Sequence, residues 1–257
     1  MDARLFQRST RKVRLTESGR VALNWARRTL SDYADVAEEI GDLRGQPAGV
    51  VRVALSDHAA AVFLPPFLRE FAQHYPKIRY QLATTDHLVN PIEHGYDVAL
   101  HAGLVPDSSL IGIQINPVHR LLCASPDYLA RRGKPRAPAD LAFHDCLAHS
   151  PSEPDTWYFQ RHGRLSEFRI TAFLAADSYL ALMESARSGL GIARISRKAV
   201  QNDLRSGRLV EVLADFRCVH QNGEVPATWI LYPDRRLPRR TRVFVDAFTD
   251  YMKQVLA

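Results

Sequence analysis

Residues 49–100 read GVVRVALSDHAAAVFLPPFLREFAQHYPKIRYQLATTDHLVNPIEHGYDVAL. Val50–Leu55 is rich in β-branched residues and predicts a strand. Leu64–Tyr75 predicts a helix, because Pro65 and Pro66 fall in its first turn and Pro76 lies just past its end. Ile78–Ala83 predicts a second strand, Val89–Glu93 a short helix and Tyr96–Leu100 a third strand. Strand, helix, strand, helix, strand within about fifty residues predicts an α/β fold around a parallel sheet.

The alternation continues toward the C-terminus. Strands are predicted at His119–Ala124, Trp157–Phe159, Phe168–Phe173, Gly191–Ile195, Leu209–Leu213 and Thr228–Tyr232. Helices are predicted at Pro126–Arg132, Ser178–Ser188, Lys198–Ser206 and Pro238–Leu256, with a helical turn at Pro138–Ala142. Pro117 and Pro226 are candidate points where the chain crosses between two lobes.

Upstream the pattern changes. Arg4–Gly19, RLFQRSTRKVRLTESG, holds two short alternating segments around a basic turn, and Thr16 reads as an N-cap with Glu17 at the positive end of the helix that follows. From Glu17 to about Arg44 there is no proline, and apolar residues including Val21, Trp25, Leu30, Tyr33 and Ile40 recur at helical spacing. A rod of this length cannot bury its own stripe, so it docks either on its own domain or on the same helix of a second copy; we expect the dimer. Gly45–Gly49 reads as a linker.

The 257-residue chain has a net charge of +6. Residues 1–30 hold eight Lys/Arg against two acidic residues, so this end carries the whole excess and the remainder sums to zero. Arg8, Arg11, Lys12 and Arg14 on the hairpin suit a phosphate backbone, the other reading being a solvated hairpin. A second cluster, Arg235, Arg236, Arg239, Arg240 and Arg242, reads as a solvated face. Three distant cysteines fit a reducing compartment, and no apolar run reaches membrane-spanning length, so we expect a cytoplasmic protein without a membrane partner.

No phosphate-binding glycine loop or nucleophile elbow occurs, so no enzyme activity and no cofactor are expected. Gly189-Leu190-Gly191 reads as a helix cap followed by a close backbone approach. His144-Asp145-Cys146-x-x-His149 matches no standard zinc spacing, so no metal is expected. Ligands in open α/β sheets bind outside the strands' carboxyl ends. Ser56, Asp57 and His58, Thr84 and Thr85, His101 and His149 stand at such ends and are the candidate ligand contacts, with capping the alternative for Ser56 and Thr85. Arg194, alone in the apolar GIARI, needs an anionic partner and is the candidate anchor for a ligand carboxylate.

RLFQRSTRKVRLTESG, GVVRVALSD, LPPFLREFAQHYPKIRYQLATTD, GYDVALHAGLVPDSSL, ASPDYLARRGKPRAPADLAFHDCL and SGLGIARIS, in this order, resemble the LysR-type transcriptional regulators over essentially the whole chain. The resemblance implies a winged helix-turn-helix, a dimerising linker helix and a two-lobed effector domain similar to periplasmic solute-binding proteins. Residues 1–16 would be a remnant of the wing, 17–48 the linker helix and 49–257 the effector domain. Lobe one would be 49–117 plus 226–257, and lobe two 118–225. It also adds Gly103, in the region His101–Leu104, to the effector contacts. The implied partners are DNA, a small effector and a second copy in a homodimer or homotetramer. Residues 1–3 would fall where the recognition helix ends, so the base-reading helices are expected to be largely missing. The competing function is a solute-binding protein without a DNA role, against which the basic N-terminal rod and the lack of a secretory peptide argue.

Overall fold

The computed structural model describes residues 3–9, 12–19, 21–23, 25–26, 29, 33, 46–106, 109–150, 155–233 and 236–256. Arg11, Leu30 and Ile40 lie outside them, as does most of the expected linker helix.

The strand predicted at Val50–Leu55 forms as β3 (Gly49–Leu55), buried at Val51, Val53, Ala54 and Leu55. Burial on both faces explains its continuous apolar run. It lies between β4 (Ile78–Thr84) and β5 (Val98–Gly103), parallel to both. The sheet is completed by β15 (Ala227–Tyr232) and β6 (Ile111–Pro117), in the order β4-β3-β5-β15-β6, with β15 antiparallel to both neighbours. Against it pack α1 (Asp57–Val62), α2 (Leu64–His74) and the C-terminal α7 (Arg239–Leu256), through an aromatic cluster of Phe67, Phe71, Phe244 and Phe248. A short α3 (Pro91–His94) precedes β5.

The chain leaves this sheet after Pro117 and returns to it at Ala227. Where the two crossing segments pass, Val118 N–H donates to the Pro226 carbonyl at 2.6 Å. Between them lies a second five-stranded sheet. Its strands are β7 (Arg120–Ala124), β8 (Cys146–His149), β11 (Ala172–Ala176), β12 (Ile192–Ser196) and β13 (Val210–Val212), in the order β11-β8-β12-β7-β13. Strands β11, β8 and β12 are parallel, whereas β7 runs antiparallel to β12. Helices α4 (Pro126–Arg132), α5 (Tyr179–Arg187) and α6 (Gln201–Ser206) belong to this half, as does a 3-10 turn at Pro138–Phe143. A small antiparallel sheet, β10-β9-β14, adds β9 (Thr156–Arg161), β10 (Arg164–Arg169) and β14 (Arg217–Val219).

Some elements depart from the sequence reading. Phe168–Phe173 is not one strand: β10 ends at Arg169, Ile170 turns inward, and β11 begins at Ala172 in a different sheet. Asn90 caps α3 with Pro91 at its first position, so the helix starts two residues later than predicted. The helix predicted from Lys198 begins at Gln201. Helix α1 and strands β6, β8, β10 and β14 were not predicted. Arg240 is not on a solvated face: it is 5% exposed and its Nε donates to the Val50 carbonyl at 2.9 Å.

At the N-terminus, β1 (Phe6–Ser9) and β2 (Lys12–Leu15) pair antiparallel. Thr16 caps the following helix, accepting from Gly19 N–H at 3.0 Å and donating to the Arg4 carbonyl at 2.6 Å. Arg8 and Lys12 lie on the strands and Arg14 is exposed. On the helix Val21, Trp25 and Tyr33 are 61%, 70% and 76% exposed.

Candidate functional site

A cavity of about 240 Å³ is walled by both halves of the molecule. The first contributes Ser56, His58, Phe63, Thr85, Asp86 and His101, with Met252 and Leu256 from α7. The second contributes Arg120, His149, Tyr179 and Ser196. Val118 and His119, on one crossing segment, also line it.

Of the residues named from the sequence, Ser56, His58, Thr85, His101 and His149 are brought together here. Ser56 also caps α1, accepting from Ala59 N–H at 3.1 Å, so capping and cavity lining coexist. Thr85 accepts from His87 N–H at 3.2 Å, while Thr84 is exposed and lies off the cavity. Gly103 does not line it but makes room for His101: a Cβ there would lie 2.6 Å from His101 Nε2.

Asp57 acts across the two halves. Its carboxylate accepts from the Ser178 hydroxyl and, at 3.3 Å, from Leu180 N–H. Asp86, with its side chain 6% exposed, accepts from Tyr179 N–H at 2.7 Å and lies 3.6 Å from His149 Nε2. Two carboxylates of the first half thus sit on the N-terminal turn of α5 in the second, where free amides and the helix dipole favour negative charge. The Tyr179 hydroxyl, in turn, accepts from Ser196 N–H.

Arg194 stands inside the second sheet. It is 6% exposed, does not line the cavity, and lies with its guanidinium 5.5 Å from the centre of the Trp157 ring. The arginines that line the cavity are Arg120 and Arg197, of which Arg197 is paired with Glu211. Because β7 and β12 are antiparallel, Arg120 at the start of β7 pairs with Ser196 at the end of β12, while Arg194 pairs with Leu122 inside the sheet. Arg120 reaches the Ala102 carbonyl at 3.5 Å and has no carboxylate partner among the described residues. Sequence reasoning missed Arg120, Asp86 and Tyr179; a basic residue opening a strand was the signal available for the first.

Burial disfavours the charged form of two of the cavity histidines, His101 and His58. Desolvation, reinforced by the positive charge of Arg120, pushes His101 down to about 4, against the pull of Asp86. Burial likewise lowers His58, opposed by Asp57 and Asp86. Neither ring nitrogen of His58 has a hydrogen-bond partner among the described residues.

The cluster around His144 comes apart. His144 Nδ1 meets the Tyr128 hydroxyl at 3.2 Å, Asp145 pairs with Arg132 at 3.1 Å, and only His149 reaches the cavity. Among the described residues no group of three or more His, Cys, Asp or Glu is arranged to hold a metal ion. Burial raises the thiols of Cys123 and Cys146 to about 12 and of Cys218 to about 11, so none is a ready thiolate. No described helix is long and apolar enough to cross a membrane.

Residues 44–253 match the LysR substrate binding domain. The chain is 32% identical over 244 residues to the HTH-type transcriptional regulator CrgA of Neisseria meningitidis serogroup C, covering 94% of this chain and 80% of that protein. It is 31% identical over 253 residues to the uncharacterized HTH-type transcriptional regulator YcaN of Escherichia coli K12, covering 97% and 80%. The solved structure of CrgA, a LysR-type transcriptional regulator, superposes with a TM-score of 0.71 at 30% identity, covering 97% of this chain and 84% of that one. The full-length structure of the Vibrio cholerae virulence activator AphB gives 0.71 at 26%, covering 97% and 84%. With a two-lobed regulatory fold and an interlobe cavity, this chain belongs to the LysR family of transcriptional regulators.

Proposed function

We propose that the chain is a cytoplasmic, ligand-responsive regulator that binds a small acidic effector between its lobes. In this reading residues 1–16 are the wing, 17–48 the linker helix and 49–257 the effector domain, with lobe one at 49–117 plus 226–257 and lobe two at 118–225. The observation that carries it is the cavity itself, since a ligand touching walls from both lobes changes their relative free energy. The exposed Val21, Trp25 and Tyr33 support pairing with a second copy in a homodimer or homotetramer. Thermal-shift measurements with a panel of small organic acids test the effector site. At least one acid should raise Tm by several degrees, and Ala102→Trp, which fills the cavity from an exposed position, should abolish the rise while leaving the unliganded Tm nearly unchanged. A rise that survives Ala102→Trp would place the effector elsewhere.

Arg8, Arg11, Lys12 and Arg14 are the proposed DNA contacts. They supply phosphate attraction, which holds a protein on a duplex without reading its sequence. Four phosphate contacts predict an affinity loss on the order of 100-fold between 50 and 200 mM salt, alike for unrelated duplexes. Filter binding with two unrelated sequences checks this, and tight, sequence-selective binding by this chain would refute it.

A further inference from the structure

The cavity holds two places suited to negative charge, and they are not equally available. One is the N-terminal turn of α5 beside His149. It is already filled by the protein's own Asp57 and Asp86, which accept from Ser178, Tyr179 and Leu180. The other is the guanidinium of Arg120, which has no carboxylate partner among the described residues. Of the other cations there, Arg197 is paired with Glu211, and Lys198 is exposed at the margin. The remaining wall is largely apolar, with Phe63, Leu100, Val118, Met252 and Leu256. His58, more than nine-tenths buried with both ring nitrogens unpartnered, is the unsatisfied polar group of that wall.

Resting on the reading of the cavity as the effector site, we propose that it selects an organic monoanion with an apolar body. The single carboxylate pairs with Arg120 in the fork geometry that guanidinium groups favour, and the body lies against Val118, Met252 and Leu256. His58 can donate to or accept from a hydroxyl or carbonyl on that body. A dicarboxylate of similar length is rejected. Its second carboxylate would meet Asp86, which holds the other anion position and whose like charge is poorly screened at 6% exposure.

The test uses the full chain with benzoate and hexanoate as monoanions and adipate as dianion, each up to 20 mM at pH 7.5, read by calorimetry and thermal shift. A monoanion should bind at least tenfold more tightly than adipate. Arg120→Gln should weaken that monoanion at least tenfold. Asp86→Asn keeps an oxygen to accept from Tyr179 N–H but loses the charge, and should raise the affinity for adipate at least tenfold. Equal binding of adipate and the monoanions by the unmodified chain overturns the selection. So does the failure of both monoanions to bind at 20 mM. Monoanion binding that survives Arg120→Gln but is lost in Ala102→Trp overturns the anchor while retaining the cavity as the site. Binding that survives Ala102→Trp overturns the site itself.

Discussion

Gly191→Ala is expected to destabilise the protein by about 3 kcal/mol or more, or to leave it unable to fold. A Cβ at this position would lie 2.1 Å from the Asp145 carbonyl oxygen and 3.2 Å from the Leu147 side chain. Asp145 cannot retreat. Its carbonyl accepts from Ile192 N–H at 2.8 Å, its own N–H donates to the Tyr128 hydroxyl at 2.8 Å, and its carboxylate is paired with Arg132. Nor can β12 move away, because it is the middle strand of its sheet, between β8 and β7. The comparison is Gly189→Ala. There φ is +74° and the nearest obstacle is the Ser125 hydroxyl at 3.1 Å, so a cost of about 1 kcal/mol is expected. Urea unfolding at pH 7.5 checks both; a Gly191→Ala loss under 1 kcal/mol would show that the two strands are not locked at this point.

The second large effect is acid lability between pH 6.5 and 4. His101 titrates near 4 in the folded protein and near 6.5 when unfolded. In that interval the unfolded chain binds a proton that the native state refuses, so stability falls as pH falls. The full span corresponds to at most about 3 kcal/mol, because some solvent reaches the ring. The groups facing His101 are Arg120 and His149, which oppose its protonation, and Asp86, which favours it. His58 is lowered too and acts with the same sign. Asp140, held below the usual carboxylate range by the amides of Arg136 and Ala137, loses its contribution only as pH drops below that of an ordinary aspartate. Urea midpoints at pH 7.0, 5.5 and 4.5 should decline for the unmodified chain and decline much less for His101→Gln. Equal slopes would assign the lability to other groups.

Much of the architecture was legible because it is written locally. Prolines at the first turns of α2 and α4 and the β-branched run of β3 are signals carried by adjacent residues. The β9–β10 hairpin was missed because its turn is His162-Gly163, with both φ positive, where Asn-Gly or Asp-Gly is the usual signature. Ile111–Pro117 does alternate, and was passed over.

The site was legible only as far as strand ends could be counted. Ser56, Thr85 and His101 from the first sheet and His149 from the second follow from parallel strands whose carboxyl ends face the rim of the cavity. Arg120 does not, because β7 runs the opposite way and offers its first residue to that rim. The same reversal explains the choice of Arg194: it interrupts an apolar strand whereas Arg120 opens one, and only the antiparallel register shows which of the two reaches the rim. Asp86 and Tyr179 are 93 residues apart in sequence, and only the approach of the lobes joins them.

The crossing at Val118 and Pro226 has a mechanical consequence. Two backbone segments tied by a hydrogen bond resist sliding and twisting, which leaves bending as the compliant coordinate. Since Val118 and His119 also line the cavity, a molecule held there would push close to the fulcrum. Work done on a short arm emerges on a long one, so a small adjustment at the bound molecule becomes a larger sweep at the outer ends of the lobes.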